Sequence, residues 1–259
     1  KAAMADDVLA WPALPASERA ALRARLALIT YLYGEGDVIT YANGCHTGPP
    51  NMGLAVSGAA GTYLALLPDH PMFERWRTHL AAYADYKMGA NLAPGGGWFE
   101  YGGAYHMHGF ARLSNGVVGL AAAEAPGCER LLDGIALDWS YYLNLLTPFD
   151  TRWGARMVPG LANSMPSFSG HFMEASGALS ETMPELAAHL RWAWLANGSG
   201  NHDINPALER PWIEPKEPAL ASQIYPGVGV IFRAHQGPRE TFMFLRAGYN
   251  WSHWTEDQG

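Results

Sequence analysis

Apolar residues recur at three- and four-residue spacing through most of the chain before the Pro-rich stretch at 205–218, the period of helices that bury one face. The clearest run is 17–33, where Ser17 is placed to cap the N-terminus and Gly34 follows as terminator. A second helix is predicted over about 52–67; its small residues suit close packing, and Pro68 ends it. Asp69 should cap a third, through about Met88, with Phe73, Trp76, Leu80 and Tyr83 along one face. Further helices are predicted over about 105–124, 128–146 and 183–196, the last with Pro184 where a first turn tolerates proline.

Long Gly/Pro/Asn-rich connections separate these helices at 34–50, 91–103 and 147–180, and loops of such length in a compact domain are usually functional. Helix after helix on alternating short and long links reads as a toroid or solenoid, although no internal repeat marks its unit. After 205–218 the period changes to two. Residues 227–233 and 240–246 alternate like an antiparallel pair of strands, with His235 to Pro238 as the turn. The organisation expected is a helical portion at 1–204, a linker at 205–222 and the start of a β domain at 223–259. Two strands cannot cover both edges of a sheet, so Val228, Val230, Phe242 and Phe244 should face water unless a following domain packs there. The chain is therefore expected to be a piece of a longer protein and to associate when alone.

Composition narrows the class. With 49% hydrophobic and 16% charged residues, 259 positions are enough for a sizeable core. Against 24 acidic residues stand 17 basic ones, a net charge of -7 whose densest basic cluster is Arg19, Arg23 and Arg25; nucleic acid is not an expected partner. An anionic ligand would need a local constellation, because the global field repels it. Cys45 and Cys128 lack metal-ligand spacing and are either free thiols or one long-range disulfide. No run of about eighteen apolar residues argues for membrane insertion, and the first residues lack the apolar stretch of a signal peptide.

Three segments mix Gly or Pro with polar side chains at element edges: one around Asn51, one holding Trp98, Glu100, Tyr101, Tyr105, His106 and His108, and one holding Trp251, His253, Trp254 and Asp257. The last has no apolar periodicity and follows two strands, as a sugar site would; indoles stack on pyranose faces while His and carboxylates supply proton chemistry. Taken singly, Asn51 reads as a helix N-cap and Tyr105 as a core tyrosine. His106 and His108 cannot share one helical face, which argues against a metal pair. His253 and Asp257 have helical ligand spacing, but their Trp-rich context reads as a loop. Glu100 with Glu174, or Asp85 with Asp257, could form the carboxylate pair of a glycosidase, although sequence fixes no separation between them. No nucleophile elbow, phosphate loop or dinucleotide fingerprint is present.

In this order, Pro50-Asn51-Met52, Glu100-Tyr-Gly-Gly-Ala-Tyr105-His106 and Ser252-His253-Trp-Thr-Glu-Asp257 resemble the motifs of the heparinase II/III-like polysaccharide lyases, including their alginate-lyase relatives. Segments 184–192 and 225–233 look like framework segments of that family, so the resemblance spans most of the chain. It implies a mainly α chain: part of an (α/α) toroid followed by the first strands of an antiparallel β-sandwich, with remaining domains of the same protein beyond. It also implies β-elimination on a uronic-acid-containing polysaccharide, with an acidic polysaccharide or oligosaccharide as partner and a periplasmic or secreted location.

Elimination removes the weakly acidic C5 proton of a uronate and expels the C4 oxygen, so charge developing on the carboxylate must be met by donors. By resemblance Asn51 and His253 are those donors, and Tyr105 takes the proton and returns one to the leaving oxygen. Trp98, Trp251 and Trp254 would stack on sugars, with Glu100, Tyr101 and His106 as further substrate contacts. Two positions depart from the pattern. Met52 stands where some relatives place a second His, which leaves a syn elimination by one tyrosine. Thr255 stands where some place a zinc-ligating His, which argues against a structural zinc; no cofactor is expected. Two other readings stay open: an (α/α)-toroid glycoside hydrolase using Glu100 or Asp257 as acid, and a non-catalytic sugar-binding protein that keeps the Trp platform.

Overall fold

The computed structural model describes residues 12–34, 50–98, 104–161, 171–198, 211–235 and 237–247, with backbone alone at 50–52, 56, 104, 105, 107 and 108. Among these residues lie seven helices: α1 (Ala16–Gly34), α2 (Pro50–Leu64), α3 (Phe73–Asn91), α4 (Ala104–Ala122), α5 (Cys128–Asn144), α6 (His171–Leu179) and α7 (Pro184–Ala196). Three strands follow, β1 (Gln223–Tyr225), β2 (Gly229–Ala234) and β3 (Thr241–Arg246), in one antiparallel sheet of order β1-β2-β3. The chain is therefore mainly helical with a small antiparallel sheet. It divides into two compact units, residues 1–90 with 112–133 and residues 91–111 with 134–259.

Several boundaries differ from the sequence pattern, each for a physical reason. Helix α1 begins at Ala16, so Ser17 sits inside the first turn and does not cap it. The third helix starts at Phe73, not after Asp69, because Pro71 disfavours the helical conformation at His70, the residue before it. Turns fill the interval, with the His70 amide bonded to the Leu67 carbonyl at 3.0 Å and the Met72 amide to His70 Nδ1 at 3.2 Å. Trp76, Leu80 and Tyr83 are buried as their spacing predicts, whereas Phe73 is only half-buried beneath the guanidinium of Arg77. Helix α6 was expected to be loop. Its Gly and Ser residues weaken intrinsic propensity, and burial of Phe172, Met173, Ala175 and Leu179, together with packing on α7, supplies the stability instead. At the start of α7, Pro184 occupies the first-turn position predicted for it.

In the first unit, α1 packs on α2, and α2 meets the second half of α4 through glycines. A Cβ on Gly58 would lie 2.0 Å from the Arg112 carbonyl oxygen, and one on Gly116 would lie 2.5 Å from the Gly58 Cα. These backbones touch with no side chain between them. The small residues of the second predicted helix thus serve the close packing that they suggest. Cys128 in this unit carries a free thiol, 8% exposed, whose pKa burial pushes up; Cys45 lies outside the described residues.

The second unit holds the sheet. Strand β1 was not expected, since three residues are too few to display a period of two; β2 therefore has a partner on each side, where the sequence indicated one. One face of the sheet, with Tyr225 and Ile231, is buried, and Val228 is 1% exposed rather than facing water. On the opposite face Ile224, Phe232, Met243 and Leu245 are 69%, 44%, 56% and 52% exposed.

Helix α5 ends at Asn144, leaving carbonyls without intrahelical partners. Arg233 reaches from β2 to satisfy them, donating to the carbonyl of Asn144 at 2.7 Å and to that of Leu146. The same guanidinium bonds Asn144 Oδ1 at 3.2 Å, pairs with Glu240 and stacks over Phe242 at 4.8 Å. Glu240 also accepts from Arg156 at 2.7 Å, and Arg156 donates to the Thr147 carbonyl at 3.0 Å. Asn144 completes the joint by donating to the Tyr225 hydroxyl at 2.7 Å and to the Ala221 carbonyl at 2.9 Å. Burial pushes the Tyr225 phenol up, so it serves this joint as a neutral group.

Two changes test these joints. Gly58→Ala should destabilise the protein by about 1–3 kcal/mol or more, because the clash is with backbone; an unchanged urea midpoint would contradict the close packing. Arg233→Met should cost about 3–5 kcal/mol by leaving the α5 carbonyls without donors and Glu240 with Arg156 alone. Arg233→Lys should recover little of that loss in the same unfolding measurement, since an ammonium cannot reproduce the planar fork.

Candidate functional site

The approach to α4 is built by three glycines in the second unit. Gly96 has φ 99°, a left-handed conformation that other residues rarely adopt, and a Cβ there would lie 2.6 Å from the Leu137 carbonyl oxygen. A Cβ on Gly97 would fall 2.2 Å from Val228, and the Gly95 amide bonds the Pro226 carbonyl at 3.3 Å. The glycine run thus seats the chain against the segment between β1 and β2. Trp98 follows and pairs with Leu92 in an isolated bridge. Its indole is 2% exposed and tilts over Phe110 at 5.3 Å, and Nε1 has no hydrogen-bond partner among the described residues.

Tyr105 and His106 occupy the first turn of α4. His106 is 1% exposed, and its Nε2 meets Asp138 Oδ2 of α5 at 2.5 Å, with the carboxylate side chain fully buried. Its ring stacks on Tyr142 at 4.0 Å with an interplanar angle of 10°, lies nearly parallel to Phe110 at 5.1 Å and meets the edge of Trp139 at 5.9 Å. Burial pushes the Asp138 carboxyl above the ordinary carboxylate range, while the charge and hydrogen bond of His106 pull it back. A net charge here would be costly, so the pair is most stable when it is neutral overall. Neither His106 Nδ1 nor Asp138 Oδ1 has a hydrogen-bond partner among the described residues.

Asn51 lies at the second position of α2, in the first unit, and Tyr105 at the second position of α4. Each therefore sits in a first turn, where backbone N–H groups are unpaired and the helix end is positive. Glu100, Tyr101, Trp251, His253, Trp254, Thr255 and Asp257 lie outside the described residues. So does one member of each proposed carboxylate pair. Glu174 contacts His171 at 2.9 Å, and Asp85 pairs with Arg130. Asp138, on α5, is a further member of the cluster around His106. Its signal was available: a carboxylate inside the apolar stripe Leu131, Ile135, Trp139 and Tyr142 of α5 breaks the helical pattern where only a paired charge can be buried.

No family model matches the chain, and no curated protein matches it. Among solved structures it is similar to a heparinase III gene product, with a TM-score of 0.56 and 16% identity over 84% of this chain. The likeness is one of fold. The chain spans 32% of the length of that heparinase III. Among the described residues no group of three His, Cys, Asp or Glu side chains is placed to hold a metal ion, and no helix is long and apolar enough to cross a membrane.

The buried pair makes a stability prediction. Asp138→Ala should cost about 1–3 kcal/mol by leaving a buried imidazole without its partner. Asp138→Asn should cost less, because the amide oxygen can still accept from Nε2–H. Equal unfolding free energies for the two variants would show that the bond contributes nothing.

Proposed function

We propose that this chain is part of a polysaccharide lyase that cleaves a uronic-acid-containing polysaccharide by β-elimination. The observation that carries the reading is the fold shared with a heparinase III over 84% of the chain, and the ordered motifs around Asn51, Tyr105 and His253 add to it. In this reading α1 to α7 belong to an (α/α) toroid and the sheet opens a β-sandwich. The open apolar face of the sheet supports this, because a sheet with one bare apolar face calls for a second layer. A polymeric substrate would place the protein in the periplasm or outside the cell.

Tyr105 is the proposed base and acid: as phenolate it takes the C5 proton, and as phenol it protonates the C4 oxygen as that bond breaks. Asn51 and His253 donate hydrogen bonds to the uronate carboxylate, where charge accumulates in the transition state. The first-turn placement of Asn51 and Tyr105 favours an anionic substrate, since helix N-termini attract negative charge. Trp251 and Trp254 are proposed sugar platforms and Glu100 and Tyr101 further contacts. Trp98 and His106, expected as substrate contacts, are 2% and 1% exposed and leave little surface for a sugar. The chemistry asks for no cofactor, and Thr255 argues against a zinc on His253.

Incubation of the protein with uronate polysaccharides should yield the ultraviolet absorbance of a conjugated unsaturated uronate, a product that only elimination forms. Tyr105→Phe should lower turnover by at least about 10²-fold with little change in KM. Shortened chains without the double bond would favour the glycosidase, and binding without any cleavage the non-catalytic reading.

A further inference from the structure

The His106–Asp138 pair costs more than stability alone explains. An ionisable pair with both members at most 1% exposed is often no better than two apolar residues of similar size. Here the second polar atom of each partner is also left without a hydrogen bond among the described residues, which adds a further desolvation cost. Phe110, Trp139 and Tyr142 already line the position with rings, so an aromatic hydrocarbon would fit the packing. What the hydrogen bond adds is direction. Stacking on Tyr142 at 4.0 Å still allows the imidazole to flip about χ2 and the turn to slide along the ring face, and the bond from Nε2 to Asp138 Oδ2 fixes both. The residue so fixed is the direct neighbour of Tyr105 in the first turn of α4, the end of a helix where backbone hydrogen bonds are fewest.

We infer that His106 and Asp138 are positioning residues: the hydrogen bond between α4 and α5 locks the first turn of α4 and with it the backbone that carries Tyr105. This rests on the proposed role of Tyr105 as the base. Displacement of a reacting group by about 1 Å can cost about 10²-fold in rate, so loose anchoring of this turn should appear in kcat and leave KM alone.

The test is the double variant His106→Phe with Asp138→Leu in the full protein that carries these residues, assayed beside the wild type, Tyr105→Phe and Asp138→Asn. The apolar pair removes both polar groups together, so the double variant should melt at or above the wild-type temperature. Its kcat should nonetheless fall about 10- to 100-fold with KM little changed. Asp138→Asn, which retains an acceptor for Nε2–H, should recover most of the turnover. A stable double variant with wild-type kcat would overturn the inference, as would a double variant that fails to fold or an Asp138→Asn loss as large as that of the double variant. Wild-type protein that forms no unsaturated product, or Tyr105→Phe at full activity, would overturn the proposed function itself; unsaturated product made equally by wild type and double variant would remove only the positioning role.

Discussion

The contact between Arg233 and the end of α5 is the constraint on which the second unit depends. A helix terminus packed against a sheet must find donors for its last carbonyls, and the chain supplies them from a single side chain on the central strand. Because Arg233 is itself buried, it needs a counter-charge, and Glu240 at the edge of β3 provides one that Arg156 shares. The loop after α5 and the β2–β3 hairpin are thereby fixed to one helix end. The register of β2 against β3 follows, since a slip of one residue would turn Arg233 to the opposite face, away from Glu240 and the carbonyls.

The same unit holds the start of α4 on a rigid base. The glycines at 95–97 press the chain against the segment joining β1 to β2, and α4 then begins over an aromatic cluster on α5. Each contact fixes a different degree of freedom: backbone approach, ring stacking and a directed hydrogen bond. A catalytic group placed at such a helix start inherits its precision from packing below it.

Much of the helical framework was legible because amphipathic periodicity survives in sequence; Trp76, Leu80 and Tyr83 mark one buried face at the expected spacing. Short elements were not legible. Helix α6 is held by burial of Phe172 and Leu179, which its local propensity does not announce, and β1 exists because β2 pairs with it. Of the candidate site, motif order singles out Asn51 and Tyr105 as candidates and both lie in first turns of helices, while the contacts of the glycine run appear only in the structure. Asp138 is marked in sequence only as a carboxylate within the apolar stripe of α5; its partner, 32 residues away on another helix, is not.

The Gly58 and Gly116 contact has a consequence for how this chain can evolve. Most core positions trade volume, so a larger residue at one site is accommodated by a smaller one opposite. Here both sides of the contact are main chain: Gly58 faces the Arg112 carbonyl and Gly116 faces Gly58 itself. No neighbouring side chain can shrink to make room, so neither position has a compensating partner. The pair forms a dead end for substitution, and drift around α2 and α4 must proceed through residues on their other faces.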